Sequence, residues 1–125
     1  MMVDQHQLEE QLRAAGAIDG AVRDAYLTCA HAQFHDGTTV HPTGHGYIER
    51  ELRFEAEGDW LYSAVLNKKW VLWYFRKPAL NAGLFDLGKT KERFPASEET
   101  SRGELKLRVR SSPEARAVLQ WVGAE

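Results

Sequence analysis

The chain has 125 residues and a formal net charge of −2, with 43% hydrophobic and 27% charged residues. This length accommodates one domain with a real core, and the composition is that of a folded rather than a disordered protein. The near-neutral charge excludes a strongly basic nucleic-acid-binding chain and gives no reason to expect an anionic membrane surface as partner. We therefore expect a single globular domain over residues 1–125.

The compartment is predicted from the cysteine count and from the N-terminus. A single cysteine, Cys29, excludes an internal disulfide and fits a reducing compartment. No basic region followed by an apolar core opens the chain, so no secretory signal is expected. The longest apolar run, Trp70 to Phe75, is far too short to span a membrane. These features predict a cytoplasmic protein with no membrane partner and an inert buried thiol.

Two helices are predicted at the N-terminus. Leu8 and Leu12 indicate a helix over residues 4–15, and Gly16 is a natural stop because it tolerates a left-handed turn. Asp19 is a suitable N-cap for a second helix, which we expect to end near Phe34. Residues 35–46 then show no periodicity and contain three glycines and one proline, which predicts a long loop.

A three-strand meander is predicted over residues 47–56, 60–66 and 70–75. With three residues in each intervening turn, Phe54 opposes Tyr62 and Tyr62 opposes Tyr74. The predicted core face consists of Ile48, Leu52, Phe54, Trp60, Tyr62, Leu66, Trp70, Leu72 and Tyr74. The predicted second face consists of Leu61, Val65, Val71, Trp73 and Phe75, bordered by Glu49, Glu51 and Glu55.

The remaining residues predict one more strand and one more helix. Residues 76–93 are typical of irregular structure or one short helix, and residues 95–102 of a polar surface loop. Alternation over residues 104–110 predicts a strand, and Ser112 is predicted to cap a last helix that has Pro113 in its first turn. We therefore predict an α+β fold with two N-terminal helices, an antiparallel sheet of about four strands and a C-terminal helix.

The large apolar residues on both predicted sheet faces suggest a function. Aromatic side chains such as Trp73 and Phe75 dominate the energetics of protein interfaces. We therefore hypothesise a non-catalytic protein-binding module, comparable to immunity proteins, antitoxins or small adaptors, in which these two residues anchor the partner. The competing interpretation is that the C-terminal helix covers these two residues. A homodimer is also compatible with the sequence. The charged residues expected to steer the partner are Glu49, Glu51, Lys106, Arg108 and Arg110.

The histidines support an alternative, a small enzyme or a metal- or ligand-binding protein that uses the histidine-rich loop at residues 35–49. Imidazole and carboxylate groups are zinc ligands, and the candidates are His31, His35, His41, His45 and Glu49. Their spacing matches no tight metal motif, so we expect no cofactor. Glu104-Leu105-Lys106 also has the acid-x-lysine form of metal-dependent nucleases, a pattern short enough to arise by chance.

A second alternative is a nucleic-acid-binding module that uses the strand at residues 104–110. The alternating cations Lys106, Arg108 and Arg110 suit a row of phosphates beside exposed aromatic rings. The opposing interpretation pairs these cations across strands with an acidic row, Glu49, Glu51 and Glu55. Because the two rows match in period and the overall charge is near neutral, we expect a protein partner rather than nucleic acid.

Overall fold

The computed structural model describes residues 4–43 and 50–125, which form an α+β fold of five helices and one six-stranded antiparallel sheet. The helices are α1 (Gln5–Ala15), α2 (Gly20–Ala30), α3 (Lys77–Asn81), α4 (Leu87–Arg93) and α5 (Ser112–Trp121). The strands are β1 (Thr39–Thr43), β2 (Glu51–Ala56), β3 (Asp59–Leu66), β4 (Val71–Phe75), β5 (Glu98–Glu99) and β6 (Leu105–Val109). Their order across the sheet is β1-β2-β3-β4-β6-β5. Within these residues, no helix combines the length and apolar character needed to cross a membrane.

The N-terminal helices begin where the sequence predicts. Asp19 caps α2 by accepting a hydrogen bond from the Ala21 N–H, and the chain leaves α1 at Gly16, whose φ is +71°. Helix α2 ends earlier than predicted because Phe34 forms an isolated β-bridge with Ala124 instead of continuing the helix. The later helix α5 is capped by Ser111 rather than by Ser112.

The sheet has two strands that the sequence pattern does not reveal. Strand β1 lies within the predicted loop and pairs with β2, so that Val40 faces Phe54. Strand β5 lies within the predicted polar loop and pairs with β6 at Leu105 and Lys106. Both are short, and each acquires its conformation from a neighbouring strand rather than from its own alternation. Two helices, α3 and α4, occupy most of residues 76–93, where irregular structure or one short helix is predicted.

The turn between β3 and β4 has four residues rather than three, and it is closed by a hydrogen bond from the Asn67 N–H to the Trp70 carbonyl at 3.0 Å. Tyr62 therefore opposes Phe75 instead of Tyr74. Because side chains alternate along a strand, this difference of one residue exchanges the two faces of β4. The residues that it moves onto the core face are Val71, Trp73 and Phe75. The residues that it moves off the predicted core face are Leu72 and Tyr74.

A β-bulge changes the face of Trp60. Phe54 opposes Tyr62 as predicted, but Glu55 opposes Trp60, which leaves Leu61 as the extra residue of β3. Trp60 therefore shares the face of Glu55, and its predicted place on the core face is wrong.

The helices cover the face of the sheet that carries Trp73. Helix α2 contacts β1, β3 and β4 and packs against α5, while α1 contacts β1. Trp73 has no exposed surface, and its ring centroid lies 4.9 Å from that of Phe54 and 5.6 Å from that of Tyr62. Phe75 is equally buried, and Leu119 of α5 belongs to the same cluster. The predicted second face is therefore wrong for Trp73 and Phe75, and neither is open to a partner in the folded domain.

A buried glutamine attaches α1 to the sheet. The Gln11 amide nitrogen donates to the carbonyl of Thr43, where β1 ends, and to that of Glu51, where β2 begins, at 2.5 and 3.1 Å. The amide oxygen of Gln11 accepts a hydrogen bond from the Tyr26 hydroxyl at 2.6 Å. Burial raises the pKa of Tyr26 far above its ordinary value, so the hydroxyl stays protonated and remains a donor. This network links α1, α2 and the β1–β2 edge of the sheet.

Candidate functional site

The second face of the sheet carries no helix within the described residues. The apolar side chains that the helices bury all join one cluster with Trp73, whereas Val65, on the opposite face, lies outside that cluster. We call this opposite surface the open face. Its strand residues are Thr39, His41, Thr43, Glu51, Arg53, Glu55, Trp60, Ser63, Val65, Leu72, Tyr74, Glu98, Lys106 and Arg108.

Trp60 stands between two arginines on the open face. The guanidinium carbons of Arg53 and Arg76 each lie 3.9 Å from the indole centroid, and they approach the ring from β2 and from the end of β4, the two strands that flank β3. Arg53 pairs in turn with Glu51 at 3.3 Å, and Arg76 with Glu104 at 3.8 Å. The result is a row of carboxylate, guanidinium, indole, guanidinium and carboxylate, which we call the Trp60 stack.

Backbone contacts hold the Trp60 stack in place. The indole N–H of Trp60 donates to the Tyr62 carbonyl at 2.9 Å, and Arg76 donates to the Trp60 carbonyl at 2.7 Å. The Glu104 carboxylate accepts a hydrogen bond from the Lys77 N–H at 3.0 Å. Each cation–π contact to a partly exposed ring such as this contributes about 0.5–1 kcal/mol. These contacts order the stack before any partner arrives.

A groove of about 380 Å³ lies beside the Trp60 stack. Strand residues Ser63, Val65 and Tyr74 form its floor, and the tip of the β5–β6 hairpin forms one wall. The Thr100 hydroxyl orders this tip by accepting hydrogen bonds from the N–H groups of Arg102 and Glu104 at 3.3 and 3.2 Å. The residues around the groove are Glu51, Trp60, Ser63, Val65, Tyr74, Arg76, Thr100, Ser101, Arg102 and Glu104.

Arg102 is the most accessible charge of the groove. Its side chain is exposed, and it forms no ion pair with any residue in the described part of the chain. Arg76, by contrast, is already engaged by Trp60 and Glu104. An incoming anionic group would therefore meet Arg102 first, without breaking an existing ion pair.

The predicted cross-strand pairing of acidic and basic rows is wrong. Strands β2 and β6 are separated by β3 and β4, which places them about 14 Å apart. Glu55 lies instead 3.6 Å from His41, and Arg108 pairs with Glu98 at 3.0 Å. Glu49 lies outside the described residues. The open face consequently has an acidic side at β2 and a basic side at β6, where Lys106, Arg108 and Arg110 lie.

The described histidines are not brought together. His31 lies at the end of α2, His35 lies 3.7 Å from the Glu125 carboxylate, and His41 lies on β1. Within residues 4–43 and 50–125, no three histidine, cysteine, aspartate or glutamate side chains are placed to hold a metal ion. The other two predicted ligands, His45 and Glu49, lie outside these ranges. Glu104 of the acid-x-lysine pattern belongs to the Trp60 stack, where Arg76 and the Lys77 N–H engage its carboxylate.

Sequence reasoning found few of the groove residues. Of the predicted partner contacts, Glu51 alone lines the groove. The bulge at Leu61 and the four-residue turn before Val71 are the reasons why Trp60 and Tyr74 lie on this face and not on the predicted core face. One sequence signal could have identified this face. Alternate residues of β2 are charged (Glu51, Arg53 and Glu55), which indicates that this side of the strand is not covered by helices.

Comparison of the chain with family profiles, with curated proteins and with solved structures finds no match. Its function must therefore follow from the geometry of the open face.

Proposed function

We propose that this domain is a protein-binding module whose partner docks on the open face, across the groove beside the Trp60 stack. The observation that supports this most is the combination of a sheet face without helical cover, in the described part of the chain, with a groove lined by Trp60, Tyr74, Arg76 and Arg102. Tryptophan, tyrosine and arginine are the residue types most enriched at binding hot spots. We therefore assign the anchoring of the partner, which the sequence suggested for Trp73 and Phe75, to these groove residues instead.

Preorganisation supports the same proposal. The side chains of the Trp60 stack are already restrained by ion pairs and by hydrogen bonds to the backbone. A partner that docks on them loses less side-chain entropy than one that docks on freely moving arginines. Restrained arginines beside an indole therefore make an efficient docking surface.

The geometry favours a protein over a nucleic acid as partner. Single-stranded nucleic acids bind by stacking bases on exposed aromatic rings, but two guanidinium groups already lie over the Trp60 ring. The carboxylates of Glu51 and Glu104 also line the groove and repel phosphate.

Charge distribution indicates how the partner is oriented. We propose that it presents basic residues to the β2 side, near Glu51 and Glu55, and acidic residues to the β6 side, near Lys106 and Arg110. Such complementarity steers association and selects the binding register more than it adds affinity. Because the single cysteine is buried and needs no oxidising compartment, we place this interaction in the cytoplasm.

The test is affinity capture from the native host with wild-type protein and matched variants. Arg102→Glu reverses the accessible charge of the groove, and Trp60→Ala removes the centre of the stack. Arg116→Glu, on the exposed side of α5, is the control for a charge reversal elsewhere. We expect one stoichiometric protein partner with the wild type and the control, and its loss with both groove variants.

Circular dichroism must show that every variant is folded. A partner that is retained by both groove variants would place the interface elsewhere, and the absence of any stoichiometric partner would refute the binding-module function.

A further inference from the structure

Strand β6 has an uncovered stretch at the edge of the sheet. Its outer neighbour β5 has two residues and pairs only with Leu105 and Lys106, whereas β6 continues to Val109. Beyond Lys106 this edge borders a cleft of about 260 Å³, which we call the β6 cleft. An edge strand beside a cleft is the geometry in which proteins bind extended segments by strand addition.

The backbone polar groups of Arg108 face the β6 cleft. In an antiparallel strand, the N–H and C=O of one residue point to the same side, and every second residue repeats that direction. The Glu104 carbonyl accepts from the Thr100 N–H, and the Arg110 N–H donates to the Glu114 carboxylate, both at 2.7 Å and both away from β4. Arg108 has the same parity. Its N–H and C=O therefore point outward at a position that β5 does not reach.

The β6 cleft combines an apolar lining with a basic rim. Its apolar lining consists of Phe94, Pro95, Ala96, Leu107, Val109 and Ala117. Its rim carries Arg93, Arg108, Arg110 and Glu114. Three arginines and one glutamate leave the rim with two net positive charges, although the chain as a whole has a net charge of −2. The Glu114 carboxylate is already engaged by the Arg110 N–H.

We propose that the β6 cleft binds an extended segment of a partner protein in which an apolar side chain is flanked by acidic residues. The segment pairs with the outward N–H and C=O of Arg108 and places its apolar side chain against Phe94 and Ala117. Its carboxylates reach Arg93 and Arg110. Charge complementarity with the rim selects acidic rather than basic flanks.

An existing ion pair does not block this site. Arg108 pairs with Glu98 at 3.0 Å, with 42% and 53% of the two side chains exposed. An ion pair this exposed contributes little free energy, so an incoming carboxylate can replace Glu98 at small cost. This second surface lies at the sheet edge, whereas the groove lies beside Trp60 on the open face.

The test uses a synthetic peptide of about ten residues with alternating leucine and glutamate, the length and pattern of one added strand. Its counterpart replaces each glutamate with lysine. We expect the acidic peptide to bind with a Kd of about 10–100 µM and at least about tenfold more tightly than the basic one, as measured by calorimetry.

Two variants locate the binding. Arg108→Pro removes the outward N–H without removing an inward sheet hydrogen bond, and we expect it to weaken binding about tenfold. The double variant Arg93→Ala, Arg110→Ala removes two rim charges and should weaken binding at least as much. Arg116→Ala and Trp60→Ala leave the β6 cleft intact and should bind the acidic peptide like the wild type.

Four outcomes would overturn the proposal. The first is equal affinity for both peptides, and the second is no binding of the acidic peptide at about 1 mM. The third is wild-type affinity in folded Arg108→Pro. The fourth is self-association of the chain through this edge, because a second copy would then be the occupant. If Arg108→Pro does not fold, amide hydrogen exchange of the wild type decides instead. Protection of the Arg108 amide by the acidic peptide supports the proposal, and its absence refutes it.

Discussion

Two tryptophans on opposite faces of one sheet show how differently this molecule uses the same residue type. Trp73 is fully buried among aromatic rings, and its indole N–H has no hydrogen-bond partner among the described residues. Trp60 is half-buried, its N–H is bonded to the Tyr62 carbonyl, and two arginines lie over its ring. A large aromatic residue is therefore not by itself the mark of an interface. Trp73 stabilises the fold through burial, whereas Trp60 organises charge on a surface.

The largest expected difference between the two faces comes from alanine substitution of these tryptophans. Trp73→Ala removes a fully buried ring and should lower the free energy of unfolding by about 3–5 kcal/mol. Trp60→Ala removes two cation–π contacts and should cost less than about 2 kcal/mol. Urea denaturation followed by circular dichroism measures both. Equal losses would show that the two faces do not differ as described.

The attachment of the helical layer is tested by Gln11→Leu. This substitution leaves the Tyr26 hydroxyl without its acceptor and removes the two hydrogen bonds that Gln11 donates to the carbonyls of Thr43 and Glu51, so we expect a loss of about 2–3 kcal/mol. The exposed Gln5 of the same helix provides the control, since Gln5→Leu should change stability by less than about 0.5 kcal/mol. A loss in both variants alike would contradict the role given to the Gln11 network.

Alkaline pH should destabilise the helix-covered side of the sheet. Burial raises the pKa of the Cys29 thiol from 9.0 to about 12. The pKa of this thiol is therefore higher in the folded than in the unfolded protein. The contribution of the protonated thiol to stability is complete below the unfolded pKa of 9.0, and it is lost as the pH rises from 9.0 towards about 12. We expect a loss of about 1 kcal/mol for the first pH unit above that unfolded value. Cys29→Ala should remove this part of the pH dependence in urea titrations, and an unchanged slope would refute it.

The smallest effect is expected from an exposed ion pair on the open face. Glu98→Gln removes the partner of Arg108, and the free energy of unfolding should fall by no more than about 0.5 kcal/mol. Thermal unfolding should show this small difference at low salt and a still smaller one at high salt, because salt screens exposed charges. A loss above about 1 kcal/mol would mean that the open face depends on this pair for its stability.

Local signals predicted much of the fold. Asp19 and Gly16 act through hydrogen bonds and backbone angles within a few residues, so the beginning of α2 and the end of α1 were predictable. Alternation over residues 104–110 predicted β6, because one of its faces is buried and the other is not. The groove was not predictable in this way, because Trp60, Arg76 and Arg102 come from three separate segments that the sheet and its hairpin bring together.

The sequence by itself determined the α+β class, the Asp19 cap of α2 and most of the strands, because these depend on interactions between residues close along the chain. Only the tertiary structure decided which face each aromatic side chain occupies. The four-residue turn before Val71 and the bulge at Leu61 each shift the register by one residue, and such a shift sends a side chain to the opposite face. Strands β1 and β5 likewise exist because a partner strand pairs with them, which no local pattern encodes. The assignment of Trp73 to the core and of Trp60 to the surface therefore followed from strand pairing, not from composition or periodicity.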